Sequence, residues 1–422
     1  MRWTYTPPPT TYSHSHTTTS WNHQRRAKRA TGSTSWQKEG DELAVTVNPN
    51  LLGKIKKLGA FDISACFNCG NCTAVCPLST EDEAFPRKMI RYAAVGLENK
   101  LLSSAELWSC DYCGECAETC PRSADPGAFM MAARRYAIKK YSWGRISDAI
   151  YSSKIAFYGS LAALSLFLAA IIMMFHGPVD LSSVDMFTFI PMDAVDKAGL
   201  LMGVFVGLSA LANLAIMNRY VSQHEMSTAK GIKSLFSKFE ALFKVIVNEV
   251  ALQKRFHDCS DSIRYWAHLL LVWGFLGLLA ATTLDYMIDA YSLQLSYYVP
   301  RGLGIVAGLA LTYGSVYFIY KRFEGKEEYA SYSHFSDWTF LLLLLLVGVT
   351  GFLLDLFMLA DFPLAVYVTY AVHLIAVFNL LITAPFTKFV HALYRPLALL
   401  VQESKQIAEK YELKQELVQT AA

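Results

Sequence analysis

Residues 338–354, WTFLLLLLLVGVTGFLL, contain no charged side chain and no polar stripe. Such a run has no face to offer water. In lipid it must satisfy every backbone N–H and C=O internally, which leaves the helix as its conformation. The chain has six predominantly apolar spans, roughly Ile155–Phe175, Ala198–Asn218, Tyr265–Tyr286, Gly302–Tyr320, Trp338–Ala360 and Pro363–Ala384. Each is about 20 residues long, enough to cross a hydrocarbon core of about 30 Å. With 53% hydrophobic and 17% charged residues, the 422-residue chain is too apolar for a soluble protein. A formal net charge of +3 is too small to indicate a nucleic-acid partner.

The connecting segments alternate in charge. Arg219, Lys230, Lys233, Lys238, Lys244, Lys254, Arg255 and Arg264 lie between the second and third spans, and Lys321, Arg322 and Lys326 between the fourth and fifth. Arg134, Arg135, Lys139, Lys140 and Arg145 precede the first span. Asp180, Asp185, Asp193, Asp285, Asp289 and Asp361 stand on the opposite side. Basic segments are retained in the cytoplasm. A multi-pass protein of the cell inner membrane is expected, with both termini and the region before the first span cytoplasmic.

Residues 1–45 are rich in Thr, Ser and Pro, without apolar periodicity, and a disordered tail is expected. Arg25-Arg26 is not followed by an apolar segment, so twin-arginine export is not expected. His14, His16 and His23 fall in this tail and are not counted as ligands. Residues 228–254 carry Ile232, Leu235, Phe236, Phe239, Leu242, Phe243, Ile246 and Val250 at helical spacing with lysines between, the pattern of a basic amphipathic helix on the membrane surface. Residues 401–422 read as a solvated cytoplasmic helix.

Eight of the nine cysteines form two matching runs, Cys66, Cys69, Cys72, Cys76-Pro77 and Cys110, Cys113, Cys116, Cys120-Pro121, each C-x2-C-x2-C-x3-C-P. This density is ligation by free thiolates in a reducing compartment rather than disulfide usage. Three thiolates on a tight loop wrap three corners of an iron–sulfur cube, and Gly70 and Gly114 relieve crowding where the backbone approaches it. In two-cluster ferredoxins the fourth cysteine reaches across to the other cluster. One [4Fe–4S] centre is therefore assigned to Cys66, Cys69, Cys72 and Cys120, and its neighbour to Cys110, Cys113, Cys116 and Cys76. Structural zinc instead joins two close pairs across a longer loop. The segment between the runs reads as helix, so residues 46–145 are expected to form a helical ferredoxin domain. Cys259 reads as an inert thiol.

Polar rings in or beside membrane spans need partners. His257 and His268 lie around the third span, and His373 and His391 on and just beyond the sixth. Eleven helical positions return to within about 20° of one face over about 16 Å, and eighteen return almost fully over about 27 Å. The two spans run in opposite directions, so His257 is expected opposite His391 near the cytoplasmic surface, and His268 opposite His373 near the midplane. Two bis-histidine haem b sites follow, with tilt or a kink near Pro385 absorbing a mismatch of about 10 Å. His176, His224 and His334 have no such partners, although His334 is placed to touch a quinone. Asn213 and Asp355 are costly in lipid and could line a haem pocket, hold a quinone or bond to neighbouring helices. The expected chain is all-α: a helical two-cluster ferredoxin domain, then a six-helix transmembrane cytochrome b bundle over residues 150–400.

FHDCSDSIRYWAHLLLVWGF, YAVHLIAVFNLL and APFTKFVHALYRP resemble the cytochrome b gamma subunits of respiratory nitrate reductases and the cytochrome subunits of membrane-bound heterodisulfide reductases. ACFNCGNCTAVCPLS and WSCDYCGECAETCP resemble the ferredoxin-like C subunits of heterodisulfide reductases. Their fusion in this order, over roughly residues 45 to 400, resembles the C subunits of quinone-interacting membrane-bound oxidoreductases (Qmo). That resemblance implies two flavin-containing, heterodisulfide reductase A-like partner subunits (Qmo A and B), and adenylyl-sulfate reductase as terminal partner in sulfate respiration. The chain departs from the nitrate-reductase pattern in having six spans rather than five.

Quinol dissolves only in lipid, so its oxidation needs a membrane site. One-electron centres then separate its two electrons and carry them to the cytoplasmic face. The expected activity is that of an oxidoreductase subunit relaying menaquinol electrons through two b haems and two [4Fe–4S] clusters to soluble flavoproteins. The same wire running in reverse, the membrane subunit of a heterodisulfide reductase, and an anchor with vestigial haem sites are the alternatives. No CCG motif occurs here, so disulfide reduction would lie in a partner. No G-x-G-x-x-G stands between a strand and a helix, and no dinucleotide is expected. No catalytic residue is assigned.

Overall fold

The computed structural model describes residues 46–80, 83–151, 153–225, 235–258 and 261–421. The tail 1–45, Cys259 and the start of the amphipathic segment 228–254 lie outside them. The chain is all-α: among the described residues the regular elements are helices, and no strand occurs.

Short helices α1 (Asn71–Val75) and α2 (Glu115–Glu118) follow the first three cysteines of each run, and α3 (Pro126–Tyr141) follows the second run. Six membrane-length helices come next: α4 (Lys154–Phe175), α5 (Met192–Glu225), α6 (Ser262–Tyr291), α7 (Tyr298–Glu324), α8 (Phe335–Leu359) and α9 (Pro363–Thr383). Helix α10 (His391–Ala421) closes the chain. The starts sit where a side chain satisfies an otherwise orphaned N–H. The Ala128 N–H donates to Asp125 at 2.8 Å, the Ala156 N–H to Ser153 at 3.0 Å, and the Arg264 N–H to Asp261 at 2.8 Å. Pro126 and Pro363 take the first helical turn, where a missing N–H costs nothing.

Helices α6, α7, α8 and α9 pack in sequence, while α4 and α5 lean on α9. Between α6 and α7 the backbones touch. A Cβ at Gly314 would stand 2.6 Å from the Ala267 carbonyl oxygen, and one at Gly274 would stand 2.7 Å from that of Ala307. Small residues at this seam allow close van der Waals contact where lipid supplies no hydrophobic drive between helices. Asn379 on α9 donates to Ser165 on α4 at 3.0 Å. The most apolar windows of the six helices are only 6–33% buried, so their apolar surface faces outward, as in a membrane protein.

The cysteine module does not form a separate body. Its core of Leu51, Ile55, Met89, Leu101, Trp108 and Phe129 continues into Met217 and Val221 of α5 and Tyr394 and Ala398 of α10. Trp108 and Tyr141 meet the Tyr394 ring at 5.2 and 5.4 Å. Residues Asn48–Ala422 form one unit.

Several polar residues find structural partners. Asn213 accepts from the Trp143 N–H at 2.9 Å and donates to the Pro385 carbonyl at 2.8 Å, tying α5 to the turn after α9. Asp355 pairs with Arg301 at 3.1 Å. His334 caps α8, its Nδ1 accepting from the Ser336 N–H at 3.3 Å, and lies parallel to Tyr151 at 5.8 Å. The segment expected as one amphipathic helix is helical over Leu235–Lys244, then π-helical over Val245–Ala251, and a further short helix spans Lys254–Asp258. Phe239, Leu242, Phe243 and Ile246 are exposed on it, and Lys244 reaches Glu403 of α10 at 3.3 Å.

Gly314→Leu forces α6 and α7 apart and should cost about 1–3 kcal/mol, read as a lower unfolding midpoint in detergent; an unchanged midpoint would contradict the backbone contact. Burial, with the Arg135 guanidinium nearby, pushes the His334 imidazole down to about 4 from its ordinary 6.5. The unfolded chain therefore binds more protons between those values, and stability falls as pH drops through that window. At pH 5 the loss relative to pH 8 is about 2 kcal/mol. His334→Asn should remove that share of the pH dependence in paired denaturation curves.

Candidate functional site

The two cysteine runs fold alike. Asn68 and Tyr112 have φ of 63° and 53°, and Gly70 and Gly114 have φ of 99° and 101°. Each run thus turns through the left-handed region at the same two places, and the glycines do so without Cβ strain. Helices α1 and α2, which begin just after those glycines, pack together. This brings Cys120 beside Cys66, Cys69 and Cys72, while Cys76 neighbours Cys110, Cys113 and Cys116. Among the described residues no three ligand-type side chains close on a point that one metal ion would occupy. Burial pushes the Cys76 thiol up to about 11, and it raises Cys72, Cys110 and Cys116 as well. Thiols held this way become thiolates by binding metal rather than by losing a proton to water. The Tyr112 and Ala124 N–H groups donate to the Cys110 and Cys120 sulfurs, each at 3.4 Å.

Beneath the second run lies a cavity of about 490 Å³, within the range of small-molecule cofactor sites. Cys110, Asp111 and Tyr112 form one wall, and His268 and His391 face it together with Phe275, Phe340 and Phe389. The His391 Nδ1–H donates to the Lys388 carbonyl at 2.7 Å. The Nδ1 of His268 lies 2.6 Å from the Gln253 amide oxygen. Each ring is therefore fixed through Nδ1 and keeps the Nε2 lone pair for a ligand, the arrangement of metal-binding imidazoles. Burial holds His391 near 4, neutral at physiological pH.

The rim is cationic. Arg134, Arg135, Arg264, Arg322, Lys388 and Arg395 line the cavity against Asp111, Glu249 and Asp337. Asp111 pairs with Arg395 at 2.6 Å, and Asp337 with Arg135 at 2.6 Å and Lys388 at 2.9 Å. The Nε groups of Arg264 and Arg322 are buried without a partner, two donors left for an anionic group.

The histidine pairing differs from the one expected. His268 and His391 share the cavity; His257 and His373 do not line it. His257 is exposed beside Asp258, on the short helix Lys254–Asp258 that ends before the Asp261 cap of α6. The eleven-residue register from 257 to 268 therefore does not run on one helix. The eighteen-residue register fails similarly, because α9 gives way to two 3-10 turns, Ala384–Phe386 and Lys388–Val390, before His391. His373 instead lies 2.8 Å from the Thr350 hydroxyl on α8.

Arg134, Arg135, Arg264 and Arg322, read from the sequence as loop charges that set orientation, line the cavity instead. Arg264 and Arg322 fall inside α6 and α7, which extend past the spans expected from hydropathy, so there was no signal of their role in the sequence. Gln253 had none either, because only the fold brings it to His268.

Residues 153–411 match the family model described as citrate utilization protein B, and residues 62–124 match that of a 4Fe-4S dicluster domain. No curated protein and no solved structure matches the chain. A dicluster domain joined to six membrane-length helices is the composition of a membrane electron-transfer subunit.

Arg395→Met should leave Asp111 buried and unpaired, at a cost of about 3–5 kcal/mol. Adding Asp111→Asn should recover most of it in a double-mutant cycle measured by thermal unfolding. A single variant costing under about 1 kcal/mol, the worth of a surface pair, would show that this ion pair does not hold the loop.

Proposed function

The chain belongs to the citrate utilization protein B family, and we propose that it relays electrons between the membrane quinone pool and cytoplasmic redox partners through two [4Fe–4S] clusters and one b haem. The observation that carries this reading is the shared cavity: two imidazoles, His268 and His391, and the loop of the second cysteine run face the same space. The clusters are assigned to Cys66, Cys69, Cys72 and Cys120, and to Cys110, Cys113, Cys116 and Cys76. The haem is assigned to His268 and His391.

The residues present fit a haem at this cavity. His268 and His391 would hold it through Nε2, phenylalanines would supply apolar walls, and the unpartnered Nε–H groups of Arg264 and Arg322 would take its carboxylates. A bound b haem supplies reversible one-electron chemistry. The protein's part is to hold the imidazoles, exclude water with Phe275, Phe340 and Phe389, and keep the cluster loop against the site through Arg264 and Arg395. A second haem on His257 and His373 does not fit, because those rings are not brought to one site.

Menaquinol as donor, cytoplasmic placement of the cysteine module and electron flow toward the cytoplasm complete the proposal. Basic residues on that side support the orientation. Partnership with two flavin-containing, heterodisulfide reductase A-like subunits and with adenylyl-sulfate reductase, as in Qmo complexes, rests on the motif resemblance alone.

The test is a reduced-minus-oxidised spectrum of the purified chain, with haem and iron counted for wild type and four His→Ala variants. One haem and about eight non-haem irons are expected per chain. Haem should be lost from the variants at His268 and His391 and retained in those at His257 and His373. A folded, cluster-loaded protein without a b-type spectrum would overturn the haem assignment; haem loss on changing His257 would restore the two-haem arrangement.

A further inference from the structure

We propose that Gln253 is the positioning residue that orients His268 and sets the redox potential at the cavity; this rests on the haem reading above. The two imidazoles are held by different partners. His391 donates to a backbone carbonyl, that of Lys388, a fixed acceptor. His268 is held by a side-chain amide, with Gln253 Oε1 2.6 Å from Nδ1. Gln253 is 6% exposed and itself lines the cavity.

The backbone around Gln253 is built for this contact. Its φ is 48°, in the left-handed region that a non-glycine residue occupies only where its surroundings enforce it. The π-helical stretch Val245–Ala251 ends just before it, and such irregular turns re-aim the residues that follow. Two side chains of α6 pin that end: the Trp273 Nε1–H donates to the Ala251 carbonyl at 3.0 Å, and the Tyr265 hydroxyl donates to the Leu252 carbonyl at 2.9 Å. On the other side the Gln253 carbonyl accepts the His257 N–H at 3.0 Å, opening the next short helix. Helix α6 thus carries His268 and also the two anchors that deliver Gln253 to it.

An acceptor on Nδ1–H raises the electron density that the imidazole passes to a metal through Nε2, and stronger acceptors favour the oxidised metal. A carboxylate at position 253 therefore lowers the potential, and an apolar side chain raises it and frees the ring to rotate.

The experiment compares wild type, Gln253→Glu, Gln253→Leu and His268→Ala in the full chain, by haem content, redox titration and low-temperature EPR. Gln253→Glu, which offers only acceptor oxygens, should keep the haem and lower its potential. Gln253→Leu should keep the haem and raise it, with altered low-spin g values. Haem in wild type and both Gln253 variants with coincident potentials and g values would overturn the assignment, because a merely structural residue would leave both unchanged. A wild-type protein without haem would instead bring down the reading on which it rests. If Gln253→Leu does not fold, the direction of the Gln253→Glu shift decides alone, and an upward or absent shift refutes the proposal.

Discussion

The structure depends on three guanidinium groups that grip the backbone of the second cysteine run. Arg134 donates to the Cys110 carbonyl at 2.7 Å, while Arg264 of α6 donates to those of Asp111 at 2.9 Å and Tyr112 at 3.1 Å. Arg395 of α10 pairs with the Asp111 carboxylate, whose side chain is 1% exposed. Hydrogen bonds from charged donors to buried carbonyls contribute about 1.5–3 kcal/mol each. Together they hold the loop of the second cysteine run between α3, the start of membrane helix α6 and the start of α10. The apolar core around Trp108, Tyr141 and Tyr394 then closes the same joint from the other side. Charge fixes the loop's position, and apolar burial supplies the bulk of the adhesion.

The same joint frames the cavity. Lys388 pairs through its side chain with Asp337, and through its carbonyl it accepts the His391 Nδ1–H. Asp337 in turn binds Arg135 on α3 of the cysteine module. Domain docking and imidazole orientation therefore share residues, so a shift of one module against the other would be felt at His391. Electron transfer weakens steeply with separation, and a relay profits from a rigid joint more than from flexible tethering. Six cationic side chains against three carboxylates also leave the site electropositive, which suits an anionic cofactor and lowers the cost of adding electrons.

The dicluster module and the six spans were legible in the sequence because their determinants are local. Four cysteines within eleven residues constrain one loop, and an apolar run of membrane length has one backbone solution in lipid. The repeated Gly70 and Gly114 were readable for the same reason: a left-handed turn is a property of a few consecutive residues. Asn213 and His334 were visible as unusual, but their partners were not. Those partners, Trp143 and Pro385 for Asn213, and Tyr151 for His334, lie far away along the chain or in another element.

Sequence alone determined the helical class, the number of spans and the two matching cysteine runs, since each follows from spacing along one segment. Tertiary structure alone decided which histidines meet. Helical register carries a side chain's direction only as far as the helix is unbroken, and both registers cross breaks, at the Asp261 cap and at the two turns around Thr387. It also decided the roles of the arginines and of Gln253. Whether a guanidinium meets water or a buried carbonyl depends on what another part of the chain places beside it, and no local pattern encodes that.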